Sequence, residues 1–483
     1  MGKIVRILVE KSKIDKPMPT GLNTKIPPIY TFALGVIFVM ALIVRLYPVI
    51  GTTETAYRYG FGIFGDTELY HVIAYNLYKG NGFSGTDDGR AFGLKGGGTN
   101  IEYEPAITRG PVYPFFISMV YKIFGSEKNM ESIHTWRINL DKVRIVQCFM
   151  DAFVCILVFL ITFLICQKSF FPAIISALLY CFSFYNIFYS RALLSECVTT
   201  FLLTLMLLFC ILSLKYNKIY YWILAGICLG LTTLSRPEYL FFTLVFAFYT
   251  LIVGHRHILN VLKKSLIFVV ATAIIIAPWT VRNYLTFKKP ILVSVGALGT
   301  SLYIGTLETN DNWKSWNEMP VDKASFRQEQ VTAKYLYDSA IHFTLLGSIK
   351  VKEFEDILIK LSLKRIRNKP LESFKIWIMR IPRLWYQFYI PMYGCREASG
   401  NFFIFYFVFA VYSFWKSRRE EIILAFPIVL LFIYLTLIFL PLHIEPRYGV
   451  ALMPCIISLA GIGIWKFVSL AKILTRKKQT DSK

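Results

Sequence analysis

The feature that most limits the fold of this chain is a series of long apolar runs separated by short polar connections. Runs of about 17–25 apolar residues are long enough to cross a bilayer as helices. With 55% hydrophobic and only 17% charged residues in 483, the sequence predicts an all-α polytopic integral membrane protein of about ten transmembrane helices. The predicted spans are 30–50, 145–166, 170–189, 193–214, 219–235, 237–253, 265–281, 401–415, 422–441 and 448–465.

The charge of the chain indicates how these spans are oriented. A formal net charge of +23 in a polar chain would favour a nucleic-acid partner, but in an apolar chain it favours basic residues held on one side of a membrane. If the N-terminus is cytoplasmic, the predicted cytoplasmic segments hold 21 basic and five acidic residues, a net charge of +16. We therefore expect both termini in the cytoplasm, a plasma (inner) membrane location and no nucleic-acid partner.

Two long segments remain on the external side. Within them, the patterns at 65–80, 111–125, 352–366 and 371–389 predict short or interfacial helices, and the glycine-rich stretch 89–100 predicts a mobile loop. The predicted organisation is a cytoplasmic basic tail (1–29), an N-terminal transmembrane module (30–285) that includes the external loop 51–144, an external loop with interfacial helices (286–400), C-terminal transmembrane helices (401–465) and a second basic tail (466–483).

Ionisable residues collect at the helix ends and loops that this topology places outside. Such residues are costly near lipid unless they are paired or functional. Together they predict one outward-opening cavity in which carboxylates face guanidiniums. Arg binds phosphate through parallel hydrogen bonds and a carboxylate accepts a proton, so the arrangement favours a reaction on an anionic lipid headgroup. The residues are Asp66, Glu68, Glu102, Glu104, Arg109, Arg191, Glu196, Arg236, Glu238, Arg282, His443, Glu445 and Arg447.

Structural roles also fit these residues. Asp is a preferred helix N-cap, oppositely charged neighbours often pair where spans meet, and Arg commonly anchors the end of a membrane helix. The structural alternatives are an N-cap for Asp66, ion pairs for Arg236 with Glu238 and for Glu196 with Arg191, and interfacial anchors for Arg109, Arg282 and Arg447.

Six short motifs occur in a recognisable order between residues 30 and 465. No single motif is specific, but the composite resembles the bacterial and archaeal glycosyltransferase family 39 enzymes of the GT-C superfamily, which are relatives of the protein O-mannosyltransferases and the lipid A aminoarabinose transferase. The motifs are D-x-x-x-Y with A-x-x-L-x-x-G (66–80), R-G-P-x-Y-P (109–114), YSRALLSE (189–196), L-x-R-P-E (234–238), P-W-x-x-R-N-Y (278–284) and P-R-Y (446–448).

The resemblance implies a GT-C fold, with the catalytic module in 30–285, and transfer of a sugar from a polyprenyl-phosphate donor to an acceptor hydroxyl on the external face with inversion. It implies Asp66 as the general base, and the donor phosphate is assigned to Arg109 first, Arg282 second and Arg447 third. The family commonly has two adjacent acids, whereas this chain has Asp66-Thr67. The candidate substrate-site residues are Glu68, Tyr70, Glu104, Glu196, Arg236, Glu238 and Glu445.

The sequence predicts no definite cofactor but leaves a divalent metal open, because Glu102, Glu104, His443 and Glu445 offer oxygen and imidazole ligands. The expected partners are the polyprenyl-phosphate sugar donor, membrane lipid and an acceptor glycan, lipid or protein. The rival function is a transporter or flippase of lipid-linked saccharides. Such proteins place binding charges near the bilayer midplane between internal repeats, whereas these charges collect at one face and no repeat is evident.

Overall fold

A computed structural model describes residues 27–50, 66–86, 103–125, 133–167, 169–254, 257–295, 297–307, 349–385 and 396–481. The described part of the chain is almost entirely helical. Its helices are α1 Pro28–Ile50, α2 Asp66–Lys79, α3 Val112–Phe124, α4 Ile133–Ile165, α5 Phe170–Cys181, α6 Phe184–Tyr189, α7 Glu196–Tyr216, α8 Ile219–Ser235, α9 Phe242–Val253, α10 Ile258–Phe287, α11 Ala297–Leu307, α12 Ile349–Asn368, α13 Pro370–Trp385, α14 Arg396–Trp415, α15 Arg419–Phe439 and α16 Met453–Asp481.

Six of the described helices contain a stretch that is long and apolar enough to cross a membrane. They are α1, α4, α7, α10, α15 and α16. The other four predicted spans are shorter apolar helices, so the number ten is not confirmed. The predicted span 170–189 is two helices, α5 and α6, because the chain turns at Phe182 and Ser183. A continuous apolar run does not reveal such a turn.

In the described parts of the two long segments between predicted spans, helices form where their patterns predict them. Helices α2 and α3 occupy the predicted 65–80 and 111–125, while α12 and α13 occupy 352–366 and most of 371–389. One element was not predicted: β1 Ser84–Thr86 and β2 Tyr103–Pro105 pair antiparallel, with Ser84 opposite Pro105. The predicted mobile loop 89–100 lies outside the described residues.

The bundle core is built around α4, α7 and α16. Helix α1 packs against α4, α5 against α4 and α16, α8 against α7, and α14 against α16. Two glycines let α16 approach its neighbours closely. A Cβ at Gly461 would lie 2.9 Å from the backbone nitrogen of Ser176 on α5, and one at Gly463 would lie 2.0 Å from the carbonyl oxygen of Phe409 on α14. Small residues at such crossings bring helix backbones together within a membrane.

A closed charge network joins α1, α4 and α5. Arg45 is fully buried, its Nε donates to Asp151 Oδ2 at 2.6 Å, and its Nη1 donates to the carbonyl oxygens of Ala41 and Cys181 at 3.1 Å each. The hydroxyl of Tyr180 donates to the other oxygen of Asp151 at 2.6 Å. Both charges are therefore neutralised and hydrogen-bonded, which a buried ion pair requires.

Candidate active site

Asp66 is the first residue of α2, and its carboxylate is shared by two arginines that are distant in sequence. Arg109 Nη2 donates to Asp66 Oδ1, and Arg447 Nη2 donates to Oδ2 at 2.9 Å. The Asp66 side chain is 31% exposed, and each arginine side chain is 19% exposed. The carboxylate is thus held from both sides while part of its surface stays accessible.

A second carboxylate, Glu196, connects these groups to another arginine. Glu196 is buried at the start of α7, where its Oε1 lies 3.0 Å from Arg236 Nη1 and 3.5 Å from Arg447 Nε. Arg236 also pairs with Glu238, and Arg447 lies 2.6 Å from Glu445 Oε2. We call this connected set the carboxylate–arginine cluster, and it comprises Asp66, Arg109, Glu196, Arg236, Glu238, Glu445 and Arg447.

Arg109 reaches the cluster because the next residue is a glycine. A Cβ at Gly110 would lie 2.3 Å from the carbonyl oxygen of Leu234 and 2.9 Å from that of Ser235, at the end of α8. A residue with a Cβ would therefore not fit at position 110 unless one of the two backbone segments moved. The R-G-P sequence therefore allows the loop before α3 to pack against the helix end that precedes Arg236.

The start of α7 is fixed by a polar residue near the beginning of the apolar run of α4. The side-chain amide of Gln147 donates to the carbonyl oxygens of Ser190 and Ala192 at 3.1 and 2.8 Å, and it accepts from the Tyr113 hydroxyl at 2.7 Å. These bonds hold the loop that leads to Glu196. Sequence reasoning missed Gln147, although an amide inside an otherwise apolar span was a visible signal.

Arg447 lies in a 3₁₀ helix, Pro446–Leu452, between α15 and α16. Helix α13 packs directly on this turn, since a Cβ at Gly449 would lie 2.8 Å from the carbonyl oxygen of Leu384. Arg380 of α13 donates to the carbonyl oxygen of Leu442 at 3.3 Å. An amphipathic helix of the segment between α11 and α14 thus positions an arginine of the cluster.

Aromatic and hydroxyl side chains surround the charges. The Arg236 guanidinium carbon lies 4.8 Å from the centre of the Tyr448 ring, a distance at which a cation and a ring attract each other. Tyr70 donates to Ser195 Oγ at 3.4 Å and lies 5.9 Å from the Arg109 guanidinium. Tyr448 and Ser195 belong to motifs identified in the sequence, but no role had been assigned to them.

The arginines favour the ionised forms of Asp66 and Glu445. The charge of Arg109, followed by that of Arg447, lowers the pKa of Asp66 well below its usual value and outweighs the opposing effect of burial. Burial also opposes ionisation at Glu445, but the neighbouring imidazole of His443 and the charge of Arg447 lower the pKa of that carboxyl to about 2. Both groups are therefore anions at neutral pH.

Not all predicted site residues meet in the cluster. Arg282 donates instead to the carbonyl oxygens of Ala106 and Phe83 at 2.9 and 3.1 Å, and its guanidinium lies 4.8 Å from the Trp279 ring. Glu68 lies in α2 and Glu104 in β2, but their side chains are outside the described part of the structure, as is the whole of Glu102.

The described residues do not provide a metal-ligand set. No group of three or more His, Cys, Asp or Glu side chains converges among them. In the cluster, the carboxylate oxygens face guanidiniums, and His443 Nε2 lies 3.8 Å from Glu445 Oε1. The described carboxylate oxygens are therefore directed at cations of the protein and do not converge on a common point as metal ligands would.

The chain matches a known family model over part of its length. Residues 108–281 match the model described as dolichyl-phosphate-mannose-protein mannosyltransferase. This stretch contains Arg109, Glu196, Arg236 and Glu238, whereas Asp66 and Arg447 lie outside it. No curated protein sequence matches the chain significantly.

Comparison with solved structures extends the similarity to almost the whole chain. The archaeal oligosaccharyltransferase AglB from Archaeoglobus fulgidus, in complex with an inhibitory peptide and a dolichol-phosphate, has a TM-score of 0.55 at 14% identity, over 94% of this chain and 52% of that chain. Its apo form has a TM-score of 0.53 at 13% identity, over 95% and 52%. ArnT from Cupriavidus metallidurans, bound to undecaprenyl phosphate, gives 0.36 at 11% identity, over 90% and 76%.

The resemblance inferred from the motifs is therefore confirmed at the level of the fold. The chain has the fold of the GT-C glycosyltransferases, as a multi-pass helical membrane protein. It spans about half the length of the AglB chain that it matches.

Proposed function

We propose that this protein is a membrane glycosyltransferase that moves a sugar from a polyprenyl-phosphate-linked donor to an acceptor hydroxyl on the external face of the membrane. The observation that carries the proposal is the Asp66 carboxylate, held between Arg109 and Arg447 and partly open at one end of the helical bundle. One carboxylate and two guanidiniums are what a single displacement with a phosphate leaving group needs.

The carboxylate would act as the general base. Asp66 accepts the proton of the acceptor hydroxyl while the acceptor oxygen bonds to the anomeric carbon of the donor sugar. The bond between that carbon and the phosphate oxygen breaks, and the electron pair leaves with the polyprenyl phosphate. Attack from the face opposite the leaving group inverts the configuration at the anomeric carbon, and no enzyme nucleophile is involved.

The guanidiniums of Arg109 and Arg447 would hold the donor phosphate and its developing charge, because Arg binds phosphate oxygens through parallel hydrogen bonds. In the free protein the same two groups contact Asp66. A bound phosphate would compete for them, and with less positive charge directed at Asp66 its pKa would rise. The base would then become more basic only when the donor is present.

Arg282, the second of the three predicted phosphate ligands, takes a different role in this proposal. The guanidinium of Arg282 donates hydrogen bonds to the carbonyl oxygens of Phe83 and Ala106, next to β1 and β2. We therefore assign Arg282 to positioning the segment that leads to Arg109, and leave the phosphate to Arg109 and Arg447. Glu196 and Arg236 would orient Arg447 rather than react.

The lipid-linked donor is supported by the AglB structure, which holds a dolichol-phosphate in the same fold. The positive charge of the predicted cytoplasmic segments supports a plasma-membrane protein with both termini inside. The cluster would then face outward, where lipid-linked donors are present and nucleotide sugars are not. The acceptor would be a glycan, lipid or protein hydroxyl.

Transfer by the purified protein in proteoliposomes tests this function. Radiolabelled polyprenyl-phosphate sugars and an envelope extract serve as donor and acceptor, and the labelled product is identified. Asp66→Asn should lower transfer by about 10²–10⁴-fold, the usual contribution of a general base, without loss of membrane insertion. The matched control is Glu372→Gln, which neutralises an exposed carboxylate outside the cluster.

Full activity of Asp66→Asn would show that Asp66 only begins a helix. If the wild-type protein transfers no sugar from any polyprenyl-phosphate donor but moves such lipids across the vesicle membrane, the transport hypothesis replaces this one.

A further inference from the structure

A cavity of about 390 Å³ lies between α5, α14, α15 and α16, near the residues Lys416, Glu421 and Lys466. Its volume is within the range of small-molecule binding sites. The chain between Arg447 and Lys466 consists of the 3₁₀ helix, which rises about 2.0 Å per residue, and the first part of α16, which rises about 1.5 Å per residue. Together they extend about 30 Å. That length equals the hydrocarbon thickness of a bilayer, so the cavity and the carboxylate–arginine cluster lie at opposite membrane surfaces.

The cavity has an excess of positive charge. Of its charged lining residues, Lys416, Arg418 and Lys466 are cations and only Glu421 is an anion. Lys466 Nζ pairs with Glu421, whose side chain is buried, and also donates to Ser417 Oγ at 2.8 Å. This pair neutralises itself and fixes one wall of the cavity.

The other two cations are not neutralised in this way. Arg418 is 77% exposed, with its Nε 3.6 Å from a carboxylate that Lys466 already occupies. The Lys416 ammonium lies 4.6 Å from the Trp415 ring. The lining therefore carries a net charge of about two positive units available to an anion, and basic pockets between helices at this membrane face are suited to anionic lipid headgroups.

The remaining walls fit an amphiphile rather than a soluble anion. Tyr412 and Trp465 line the cavity, and such aromatic residues are enriched at the headgroup level. Trp465 stacks on Phe171 with ring centres 5.0 Å apart, and Phe171 is 58% exposed toward the surroundings of the bundle. Because side chains on a helix lean toward its N-terminus, Trp465 on α16 leans toward the hydrocarbon layer and continues the cavity in that direction.

We propose that this cavity is a binding site for an anionic glycerophospholipid of the leaflet opposite the carboxylate–arginine cluster. The phosphate of the headgroup contacts Lys416 and Arg418, and an acyl chain leaves across the stacked Phe171 and Trp465 rings. The site is independent of the sugar-transfer reaction, so its test needs no activity measurement.

Lipid binding to delipidated protein in detergent tests the site, by thermal unfolding and by native mass spectrometry with added phosphatidylglycerol or phosphatidylcholine. Wild-type protein should bind and be stabilised by phosphatidylglycerol in preference to phosphatidylcholine. The double variant Lys416→Gln/Arg418→Gln should bind phosphatidylglycerol at least about tenfold more weakly, because each cation near an anionic lipid contributes to binding.

The matched control is Lys263→Gln/Lys472→Gln, which removes two exposed cations, one on α10 and one on α16, that do not line the cavity. This variant should keep the wild-type affinity. Ser469→Trp, which fills the cavity without a change of charge, should lose the phosphatidylglycerol effect as well.

Three results would overturn the proposal. They are an equal loss of binding in the pocket variant and the control variant, the absence of a preference for phosphatidylglycerol in the wild-type protein, and equal stabilisation by soluble glycerol 3-phosphate, which would make the cavity a site for a free anion.

Discussion

Two arginine–carboxylate networks lie in this bundle, and they differ in how completely their charges are satisfied. In the network of Arg45 and Asp151, the guanidinium also donates to backbone carbonyls and both side chains are at most 2% exposed. In the carboxylate–arginine cluster, one arginine serves several carboxylates and Asp66 is 31% exposed. A network with no exposed polar atoms can only hold helices together, whereas an exposed one has charged atoms that a substrate can contact. Substitutions that affect the two networks differently test this distinction.

The largest expected effect is on stability, at the closed network. Asp151→Ala would leave the Arg45 charge buried without its anionic partner, a change that costs about 3–5 kcal/mol. We expect a large fall in the thermal unfolding midpoint in detergent. Asp66→Ala should change it far less, because the Asp66 site is partly exposed.

The double variant Arg45→Met/Asp151→Leu is the control for this comparison. It removes both charges and keeps the apolar volume, so it should recover most of the stability lost in Asp151→Ala. If Asp151→Ala and Asp66→Ala unfold at the same temperature, the distinction between a closed and an open network is wrong.

The next effect is on activity, at the open cluster. Arg447→Gln should lower the turnover of sugar transfer by about 10²–10³-fold. Loss of one hydrogen-bond donor to the negative charge of a transition state has an effect of this size in other enzymes. Arg447→Lys should not restore it, because an ammonium lacks the fork of donors that contacts two oxygens. Initial rates at saturating donor measure the effect. Near wild-type turnover in Arg447→Lys would contradict a role in paired hydrogen bonding.

A smaller effect is expected where the backbone positions Arg109. Gly110→Ala places a Cβ 2.3 Å from the carbonyl oxygen of Leu234, and relief of this overlap should cost about 1–3 kcal/mol of stability and displace Arg109. We expect a lower kcat/KM for the polyprenyl-phosphate sugar donor. Gly35→Ala, where a Cβ has nothing within 4 Å, is the control and should lower neither quantity, since Ala is the better residue in a helix interior.

The smallest effect is a pH dependence at the rim of the cluster. The pKa of Glu445 falls from 4.5 to about 2 on folding, so its contribution to stability is present above pH 4.5 and is lost as the pH falls toward 2. Because the side chain is 37% exposed, we expect less than about 1 kcal/mol. Unfolding midpoints at pH 6 and pH 3 should therefore differ slightly more in wild type than in Glu445→Gln. An equal difference would contradict this assignment.

Much of the fold and part of the cluster were predictable because membrane helices and one-sided charges leave strong patterns. Length and hydropathy predicted the six long helices, and the motifs placed Asp66, Arg109 and Arg447 on one face. The local pair of Arg236 with Glu238 was predictable. Partners from distant segments were not, and Glu196 contacts Arg236 and Arg447 rather than the expected Arg191. The closed network illustrates this, because Arg45 and Asp151 lie inside apolar runs and were not identified.

Arg282 shows a second limit. Its position at a helix end resembles that of Arg447 in sequence, but its donors point at backbone carbonyls of the segment around β1 and β2. Which oxygens an arginine meets depends on how that segment folds, and the antiparallel strands themselves were not predicted. The turn that separates α5 from α6 was missed for a similar reason, since both flanking stretches are apolar.

The contact between Asp66 and Arg447 joins residues that are 381 positions apart. Translation proceeds from the N-terminus, and domains fold as they emerge, so α2 and the helices that follow it enter the membrane long before Arg447 is made. Until the last two long helices are in place, Asp66 lacks one of its two cations. The contact between Asp66 and Arg447 therefore forms only after residue 447 has been made, long after α2 has left the ribosome, and a chain cut short before Arg447 cannot form it.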